Sequence, residues 1–200
     1  MVQTRMDGTI TKASPTSVPN LLTYGRIAAV PAMAAAFLLI EGDQRRWIAL
    51  AIFVAACVTD WLDGYLARVW QQQSLLGRML DPIADKLLVG SALILLVHDG
   101  TISTTSVWAA LIILSREILV SGLREFLAEL NVRVHVSRLA KWKTTLQMIS
   151  LGVLLAGPAG ERTLTGVMAA GTALLWVAAL LTIWTGGGYL TAAIRSALHR

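Results

Sequence analysis

Long apolar stretches, separated by short polar connections, follow one another along most of the chain. Six of them are apparent, at roughly residues 21–40, 47–67, 79–97, 107–127, 142–156 and 164–184. An α-helix that crosses a membrane needs about 20 predominantly apolar residues, and most of these stretches approach that length. The pattern therefore predicts an all-α fold, that of a polytopic membrane protein with six transmembrane helices.

The polar positions divide the chain into a central domain and two ends. Residues 1–20 are polar and contain Pro15 and Pro19, which predicts a short cytoplasmic N-terminal segment. The six apolar stretches place the transmembrane domain at residues 21–190 and leave residues 191–200 as a cytoplasmic tail. We expect no separate soluble domain.

Composition narrows the class of protein further. Of the 200 residues, 56% are apolar and 14% are charged, and the mean hydropathy is +0.65. These values exclude disordered and collagen-like chains, and the single cysteine, Cys57, excludes a fold held by intrachain disulfides. The net charge of +5 indicates anionic partners. In so apolar a chain we expect lipid headgroups or phosphate substrates, and no nucleic acid.

Lysine and arginine are distributed unevenly over the polar connections. The two ends and the second and fourth connections together hold eleven basic residues, whereas the opposite connections hold three, Arg45, Arg46 and Arg162. Cytoplasmic loops of membrane proteins carry the excess of lysine and arginine. Both termini are therefore predicted to lie on the cytoplasmic side.

Four carboxylates lie where an apolar helix should have none. Asp60 and Asp63 end the second apolar stretch, and Asp81 and Asp85 begin the third. Each pair has helical spacing, and the short connection predicts that the two helices are antiparallel neighbours with their carboxylates facing each other. Oxygen ligands without histidine or cysteine favour a hard divalent cation, Mg²⁺ or Mn²⁺.

Residues beside the carboxylates are suited to a phosphorylated ligand. Arg68 follows Asp60 by eight positions, and a guanidinium group binds phosphate through two parallel hydrogen bonds. Gly64 and Ala67 leave room for a bulky group such as a nucleotide. The combination indicates a phosphoryl-transfer site at a lipid interface. A structural cluster of salt bridges and a pathway for ions or protons are the alternatives.

The segment from Asp60 to Asp85, DWLDGYLARVWQQQSLLGRMLDPIAD, carries eight signature residues at fixed spacing. It resembles the signature of the CDP-alcohol phosphotransferase family at every position. Three flanking segments, PNLLTYGRI from Pro19, SREILVSGLREF from Ser115 and KWKTTLQM from Lys141, resemble the branch that makes phosphatidylglycerophosphate. The resemblance covers all six apolar stretches.

The resemblance implies a fold and a metal centre. It implies six transmembrane helices, a homodimer, and a cavity that faces the cytoplasm from the inner membrane and holds two divalent ions. Asp60, Asp63 and Asp81 would bind one ion. Asp60, Asp81 and Asp85 would bind the other, and Asp85 would also be the catalytic base that accepts the proton of the acceptor hydroxyl.

The resemblance also implies residues that bind CDP-diacylglycerol, and it gives Gly77 a structural role in letting helices approach closely. The candidates are Gly64, Ala67, Arg68 and Ser74, with Asn20 and Thr23 from the first apolar stretch. The implied reaction joins the phosphatidyl group to sn-glycerol 3-phosphate and releases CMP.

An acceptor that carries its own phosphate needs a second cationic pocket. The candidates for this pocket are Arg116, Arg124, Lys141 and Lys143. Arg116 is the strongest of them, because an arginine inside an apolar helix is costly unless it has a partner or a function. Glu117 could be that partner. Phosphatidylglycerol or an inositol phosphate as acceptor, or ion transport, are the alternative functions.

Overall fold

The computed structural model of the chain describes residues 18–69, 75–130, 132 and 138–198. Within these residues the fold consists of six α-helices and contains no strand. They are α1 (Val18–Leu39), α2 (Gln44–Val69), α3 (Leu75–His98), α4 (Val107–Glu129), α5 (Arg138–Thr163) and α6 (Val167–Leu198). Each predicted apolar stretch lies mainly within one helix, which confirms the all-α class.

Two of the helices are long and apolar enough to cross a membrane by length and composition. They are the segments Asn20–Leu39 of α1 and Val167–Gly187 of α6. The other four helices carry charged residues in or beside their apolar stretches, among them the four aspartates, and such residues lower the mean hydropathy. The described part of the chain thus confirms six helices, while six membrane crossings stay a prediction.

The core lies where the six helices meet. α1 packs against α2 and α3, α6 packs against α4 and α5, and further contacts join α2 with α5 and α3 with both α4 and α5. Every helix contributes buried apolar side chains, including Phe37, Phe53, Leu88, Ile113, Leu154 and Leu175. α5 and α6 approach closely at Gly171, where a Cβ atom would lie 2.8 Å from Leu154 Cδ2.

The short connection between the second and third stretches predicts that α2 and α3 are neighbours, and it predicts nothing about α1. Among the described residues, α2 and α3 are not a principal packing pair, whereas α1 packs extensively against both of them. The side chains of α1 therefore lie next to both carboxylate-bearing helices.

A network of ion pairs joins three helices at the end of the bundle opposite the four aspartates. Arg46 at the start of α2 pairs with Asp99, which follows α3, and donates to Thr101 Oγ1 at 2.9 Å. Arg45 also contacts Asp99, at 2.6 Å. Arg46 Nη1 lies 3.5 Å from the carbonyl oxygen of Leu155 in α5. All three basic residues predicted on this side therefore have a carboxylate partner, because Arg162 Nη1 also lies 2.5 Å from Asp43 Oδ2.

The kink in α5 makes room for this network. Gly157 has φ 46° and ψ −131°, and Pro158 follows it. A Cβ atom at position 157 would collide with Arg46 Nη1. Only glycine combines this backbone conformation with so close an approach of the guanidinium group.

The start of α6 is capped by the end of α5. Glu161 accepts hydrogen bonds from the backbone N–H groups of Gly166, at 2.7 Å, and Met168, at 2.8 Å. These hydrogen bonds lower the pKa of the Glu161 carboxyl below its usual value. The carboxylate satisfies backbone donors that a helix leaves open at its N-terminus.

Candidate active site

Two aspartates of α2 share one arginine of α1. Asp60 and Asp63 are one helical turn apart, and Arg26 Nη1 lies 2.5 Å from Asp60 Oδ1 while Nη2 bonds to Asp63 Oδ2. Arg26 and Asp63 are buried, whereas the Asp60 side chain is 47% exposed. One carboxylate of this pair is thus fixed in the interior and the other remains accessible.

The first aspartate of α3 is also held by α1. Thr23 Oγ1 donates a hydrogen bond of 2.7 Å to Asp81 Oδ1. Thr23 and Arg26 are three positions apart and so share a face of α1. Asn20, one turn earlier, is buried together with them. This face of α1 therefore contacts the aspartates of both neighbouring helices.

The fourth aspartate, Asp85, lies one turn after Asp81 on α3. Its carboxylate is within electrostatic reach of Asp60 on α2 and of Glu117 on α4. Asp60 in turn is within reach of the charge of Asp81. The charge of Asp60 on α2 is therefore close to those of both Asp81 and Asp85 on α3, at the same end of the bundle.

A second charged cluster lies beside the aspartates. Lys143 of α5 is buried and bonds to Glu117 Oε1 of α4, and Arg116 Nη1 lies 3.8 Å from the same oxygen. Arg116 Nη2 also lies 3.3 Å from Thr185 Oγ1 of α6. The charge of Asp85 acts on Lys143, so the two clusters adjoin.

The remaining predicted site residues have different positions in the structure, and for some of them the side chain lies outside the described part. Arg124 is exposed and lies two turns beyond Arg116 on α4. Gly64, Ala67 and Arg68 belong to α2, Gly77 to α3 and Lys141 to α5, but the side chains of Ala67, Arg68 and Lys141 are outside the described part. Ser74 lies outside the described residues altogether.

Two residues at the site carry functions that the sequence pattern does not assign. Arg26 bridges Asp60 and Asp63, and Glu117 joins Lys143 to Arg116. The signal for both is present in the sequence, because each is an ionisable residue inside an apolar stretch and such residues have partners. The sequence suggests Glu117 as a partner of Arg116, which the structure confirms, but it identifies neither Lys143 as a second partner of Glu117 nor the partners of Arg26.

The fit of these residues to a divalent cation rests on donor chemistry. The four aspartates supply only carboxylate oxygens, which are the ligands that Mg²⁺ and Mn²⁺ prefer. The described side chains do not form a group of three or more ligands around one point. Asp60, Asp63 and Asp81 instead contact Arg26 and Thr23.

Comparison with known proteins identifies relatives over most of the chain. A Rickettsia bellii protein named CDP-diacylglycerol--glycerol-3-phosphate 3-phosphatidyltransferase is 46% identical over 176 residues, covering 88% of this chain and 94% of the relative. A Haemophilus influenzae protein of the same name is 45% identical, covering 91% and 96%. A cardiolipin synthase (CMP-forming) of Oryza sativa is 41% identical, covering 84% of this chain and 55% of the relative.

The assignment to a family rests on a match that covers nearly the whole fold. The model of the CDP-alcohol phosphatidyltransferase family matches residues 16–184, which include the four aspartates and the second charged cluster. This family consists of transferases that generally depend on a divalent metal ion. The chain therefore belongs to the CDP-alcohol phosphatidyltransferase family.

Proposed function

We propose that this protein transfers the phosphatidyl group of CDP-diacylglycerol to sn-glycerol 3-phosphate and releases CMP. The observation that carries the proposal is the proximity of two clusters, since the charge of Asp85 among the aspartates acts on the buried Lys143 and Glu117 acts on Asp85. One cluster suits the metal-bound diphosphate of the donor, and the other suits the phosphate of the acceptor. Relatives of this chain carry the name of the same reaction.

The proposal assigns the aspartates to two divalent ions, Mg²⁺ or Mn²⁺. Asp60, Asp63 and Asp81 would hold one ion, and Asp60, Asp81 and Asp85 the other. When bound, such ions neutralise the charge that develops on the phosphoryl oxygens. Thr23 and Arg26 orient three of these carboxylates through the contacts described above.

The proposal assigns the proton of the acceptor hydroxyl to Asp85, the aspartate whose charge also acts on Lys143 of the second cluster. In the proposed step, an acceptor hydroxyl oxygen forms a bond to the phosphorus that carries the diacylglycerol. The bond from this phosphorus to the oxygen of CMP breaks, and CMP leaves with the electron pair. The hydroxyl proton goes to Asp85.

The proposal assigns Arg68, Gly64, Ala67 and Ser74 to the CDP part of the donor, together with Asn20 and Thr23. Arg68 follows Asp60 by two turns of α2, and its guanidinium would bind the diphosphate. Lys143 and Arg116 would bind the acceptor phosphate, with Lys141 and Arg124 as further basic residues along its approach.

Two apolar helices and the family indicate a membrane protein. We extend this to six membrane crossings in the inner membrane, a homodimer, and an active site that faces the cytoplasm together with both termini. Large apolar side chains that are more than half exposed occur on all six helices, including Leu39, Trp61, Ile94, Trp108, Trp142 and Leu180. Such a surface suits lipid. The few arginines at the opposite end, each paired with a carboxylate, favour the cytoplasmic assignment of the site.

The test is a parallel assay with purified protein in lipid vesicles. CDP-diacylglycerol and Mg²⁺ are supplied with labelled sn-glycerol 3-phosphate, inositol 1-phosphate or phosphatidylglycerol, and CMP and labelled lipid are measured. Product from glycerol 3-phosphate alone is expected. Asp85→Asn should abolish it, whereas Asp43→Asn, at an exposed carboxylate of the opposite end, should not. Full activity in Asp85→Asn would contradict the assignment of the base.

A second candidate function is synthesis of cardiolipin, with phosphatidylglycerol as acceptor. The rice relative named cardiolipin synthase favours it. The same assay decides between the two, because phosphatidylglycerol as the only productive acceptor would establish this function instead. The transport alternative is not retained, since the family consists of transferases.

A further inference from the structure

A layer of buried polar side chains lies one helical turn from the second charged cluster, toward the apolar middle of the bundle. On α5, Gln147 and Ser150 follow Lys143 by four and seven residues and therefore share its face. On α6, Thr182 precedes Thr185 by three residues. Gln147, Ser150 and Thr182 are buried, at 2%, 0% and 0% exposure. Burial of a polar side chain is costly without a hydrogen bond, so each of them needs a partner.

Two of these three side chains have a polar atom that lacks a hydrogen bond. Ser150 Oγ donates to the carbonyl oxygen of Gly171 in α6 at 2.9 Å. Gln147 Oε1 and Thr182 Oγ1 are buried and have no hydrogen-bond partner within the described part of the chain. Buried polar atoms in native proteins are nearly always satisfied, either by the protein or by a bound molecule. The layer therefore has the capacity to bind a ligand through hydrogen bonds.

The two unsatisfied atoms belong to residues at a similar depth in the bundle. α5 and α6 are joined by a short connection and pack against each other, so they run antiparallel. Lys143 and Thr185 lie at one level, because both are linked to Arg116, the first through a shared carboxylate and the second at 3.3 Å. From this level Gln147 lies about 6 Å along α5 and Thr182 about 4.5 Å along α6, in the same direction.

These separations match the size of a small phosphorylated alcohol. The proposed function assigns the acceptor phosphate to Lys143 and Arg116. In glycerol 3-phosphate the secondary hydroxyl oxygen lies about 5 Å from the phosphorus by ordinary bond lengths. Side chains four residues apart on a helix have Cβ atoms about 5–6 Å apart. A ligand whose phosphate contacts Lys143 therefore brings this hydroxyl within reach of Gln147.

We propose that Gln147 and Thr182 bind the secondary hydroxyl of the acceptor, next to the primary hydroxyl that reacts. This hydroxyl donates to Gln147 Oε1 and accepts a hydrogen bond from Thr182 Oγ1, which satisfies both atoms. With the phosphate and the secondary hydroxyl held, the primary hydroxyl is the one left to reach Asp85, whose charge acts on Lys143. A buried water molecule has the same hydrogen-bonding capacity and is the alternative occupant.

The inference rests on the proposed function, because it takes the position of the acceptor phosphate from it. It goes further by assigning to Gln147 and Thr182 the selection of acceptors that carry a hydroxyl beside the attacking one.

The test compares two acceptors that differ in this hydroxyl alone, sn-glycerol 3-phosphate and 1,3-propanediol monophosphate. For the wild type we expect kcat/KM with glycerol 3-phosphate to exceed that with the propanediol compound at least about tenfold, because the latter leaves Gln147 and Thr182 unsatisfied. In Gln147→Met, which keeps the length of the side chain and removes its amide, the ratio of the two kcat/KM values should fall below about threefold.

Two further variants separate recognition from packing. Thr182→Val removes the hydroxyl at nearly constant volume and should lower the ratio in the same direction. Ser150→Ala is the matched control, because Ser150 is equally buried on the same face of α5 but its hydroxyl already has a partner in Gly171. This control should keep the wild-type ratio. A purely structural defect in Gln147→Met lowers both kcat/KM values by the same factor and leaves their ratio unchanged.

An unchanged ratio in Gln147→Met would overturn the proposal, as would a wild type that uses both acceptors equally well. Either result would assign the buried amide to a water molecule only. If glycerol 3-phosphate gives no product, the proposed function fails. The comparison is then made with phosphatidylglycerol and phosphatidyl-1,3-propanediol, which differ in the same hydroxyl.

Titration calorimetry of glycerol 3-phosphate and 1,3-propanediol monophosphate into the protein with Mg²⁺ provides a reading that does not need turnover. Tighter binding of glycerol 3-phosphate that is lost in Gln147→Met supports the hydroxyl site, and equal binding of the two compounds to the wild type excludes it.

Discussion

Arg26 of α1 and Asp63 of α2 form an ion pair with almost no access to solvent, at 1% and 6% side-chain exposure. The same guanidinium group lies 2.5 Å from Asp60. Removal of one partner from such a pair leaves a charge buried without compensation, which is strongly unfavourable. α1 is therefore fixed against α2 by charge as well as by apolar contact.

Replacement of Arg26 should lower the stability of the fold and make that stability more dependent on a bound cation. We expect Arg26→Gln to lower the free energy of unfolding by about 3–5 kcal/mol, the usual cost of breaking a buried pair. Since Mg²⁺ can supply the missing positive charge, it should raise the Tm of this variant more than that of the wild type. Thermal unfolding in detergent, with and without Mg²⁺, measures both effects.

Arg26→Lys is the matched control for charge. It keeps a positive charge but lacks the planar fork that contacts two carboxylates at once. Its stability should therefore lie between those of the wild type and Arg26→Gln. If Arg26→Gln unfolds like the wild type and responds to Mg²⁺ no more strongly, Arg26 does not organise these aspartates.

The hydrogen bond from Thr23 to Asp81 should affect metal binding more than the fold. Thr23→Val removes the hydroxyl and leaves the volume nearly unchanged, and the loss of one such bond is worth about 0.5–1.5 kcal/mol. We expect the Mg²⁺ concentration for half-maximal CMP release to rise about 2- to 10-fold. A Mg²⁺ titration measures it.

Thr23→Ser separates the hydroxyl from other effects at this position. Serine retains the donor for Asp81, so its Mg²⁺ dependence should stay close to that of the wild type. Equal impairment in the serine and valine variants would show that the methyl group, and not the hydrogen bond, is what matters.

Much of the fold follows from the sequence because apolar length determines where helices form. The six apolar stretches correspond to six helices, and the ionisable residues at their ends mark one end of the bundle. The order of packing does not follow in the same way. The short connection from Asp63 to Asp81 suggests that their helices are neighbours, yet α1 packs against both. An apolar pattern indicates that one face of a helix is buried, but it does not indicate which other helix packs against that face.

The candidate site likewise has features that the sequence predicts and features that only the packing of the helices shows. The spacing of the four aspartates is enough to identify them as candidate ligands from the sequence alone. The contacts of Thr23, Arg26 and Glu117 depend on which helices meet and at what height, and so they appear only in the fold. Arg26 is a charged residue in apolar surroundings, which indicates that it has a partner but does not identify it. For Glu117 the sequence suggests Arg116 as partner but not Lys143.

The kink of α5 allows a test of the ion-pair network at the end of the bundle opposite the aspartates. Gly157→Ala introduces a Cβ atom at a backbone conformation that only glycine adopts easily, and the atom would also displace Arg46 from its network. We expect a loss of about 1–3 kcal/mol in stability, measured by thermal unfolding. CMP release at a temperature where the variant is folded should be unchanged, because the aspartates lie at the other end.

Gly122→Ala is the control for this substitution. Gly122 lies in α4 with no other atom within 4 Å of an added Cβ, so alanine should leave the Tm unchanged or raise it. Comparable losses of stability in Gly157→Ala and Gly122→Ala would contradict the inference that the kink makes room for the Arg46 network.

The second charged cluster allows a test of whether Lys143 binds the acceptor or only neutralises Glu117. Lys143→Met should raise the KM for glycerol 3-phosphate at least about tenfold while the KM for the donor changes little, since a charge-assisted hydrogen bond is worth about 1.5–3 kcal/mol. The single variant alone does not decide the question, because it also leaves the partly buried Glu117 beside the site without its lysine.

The double variant Lys143→Met/Glu117→Gln removes that ambiguity. If Lys143 only neutralises Glu117, removal of both charges should restore the KM for glycerol 3-phosphate. If Lys143 contacts the acceptor phosphate, the double variant should recover stability but keep the raised KM. We expect the second result, because Arg116 already lies 3.8 Å from the same Glu117 oxygen in the wild type, so Lys143 is not needed to neutralise Glu117. A fully restored KM would instead assign the phosphate of the acceptor to Arg116 alone.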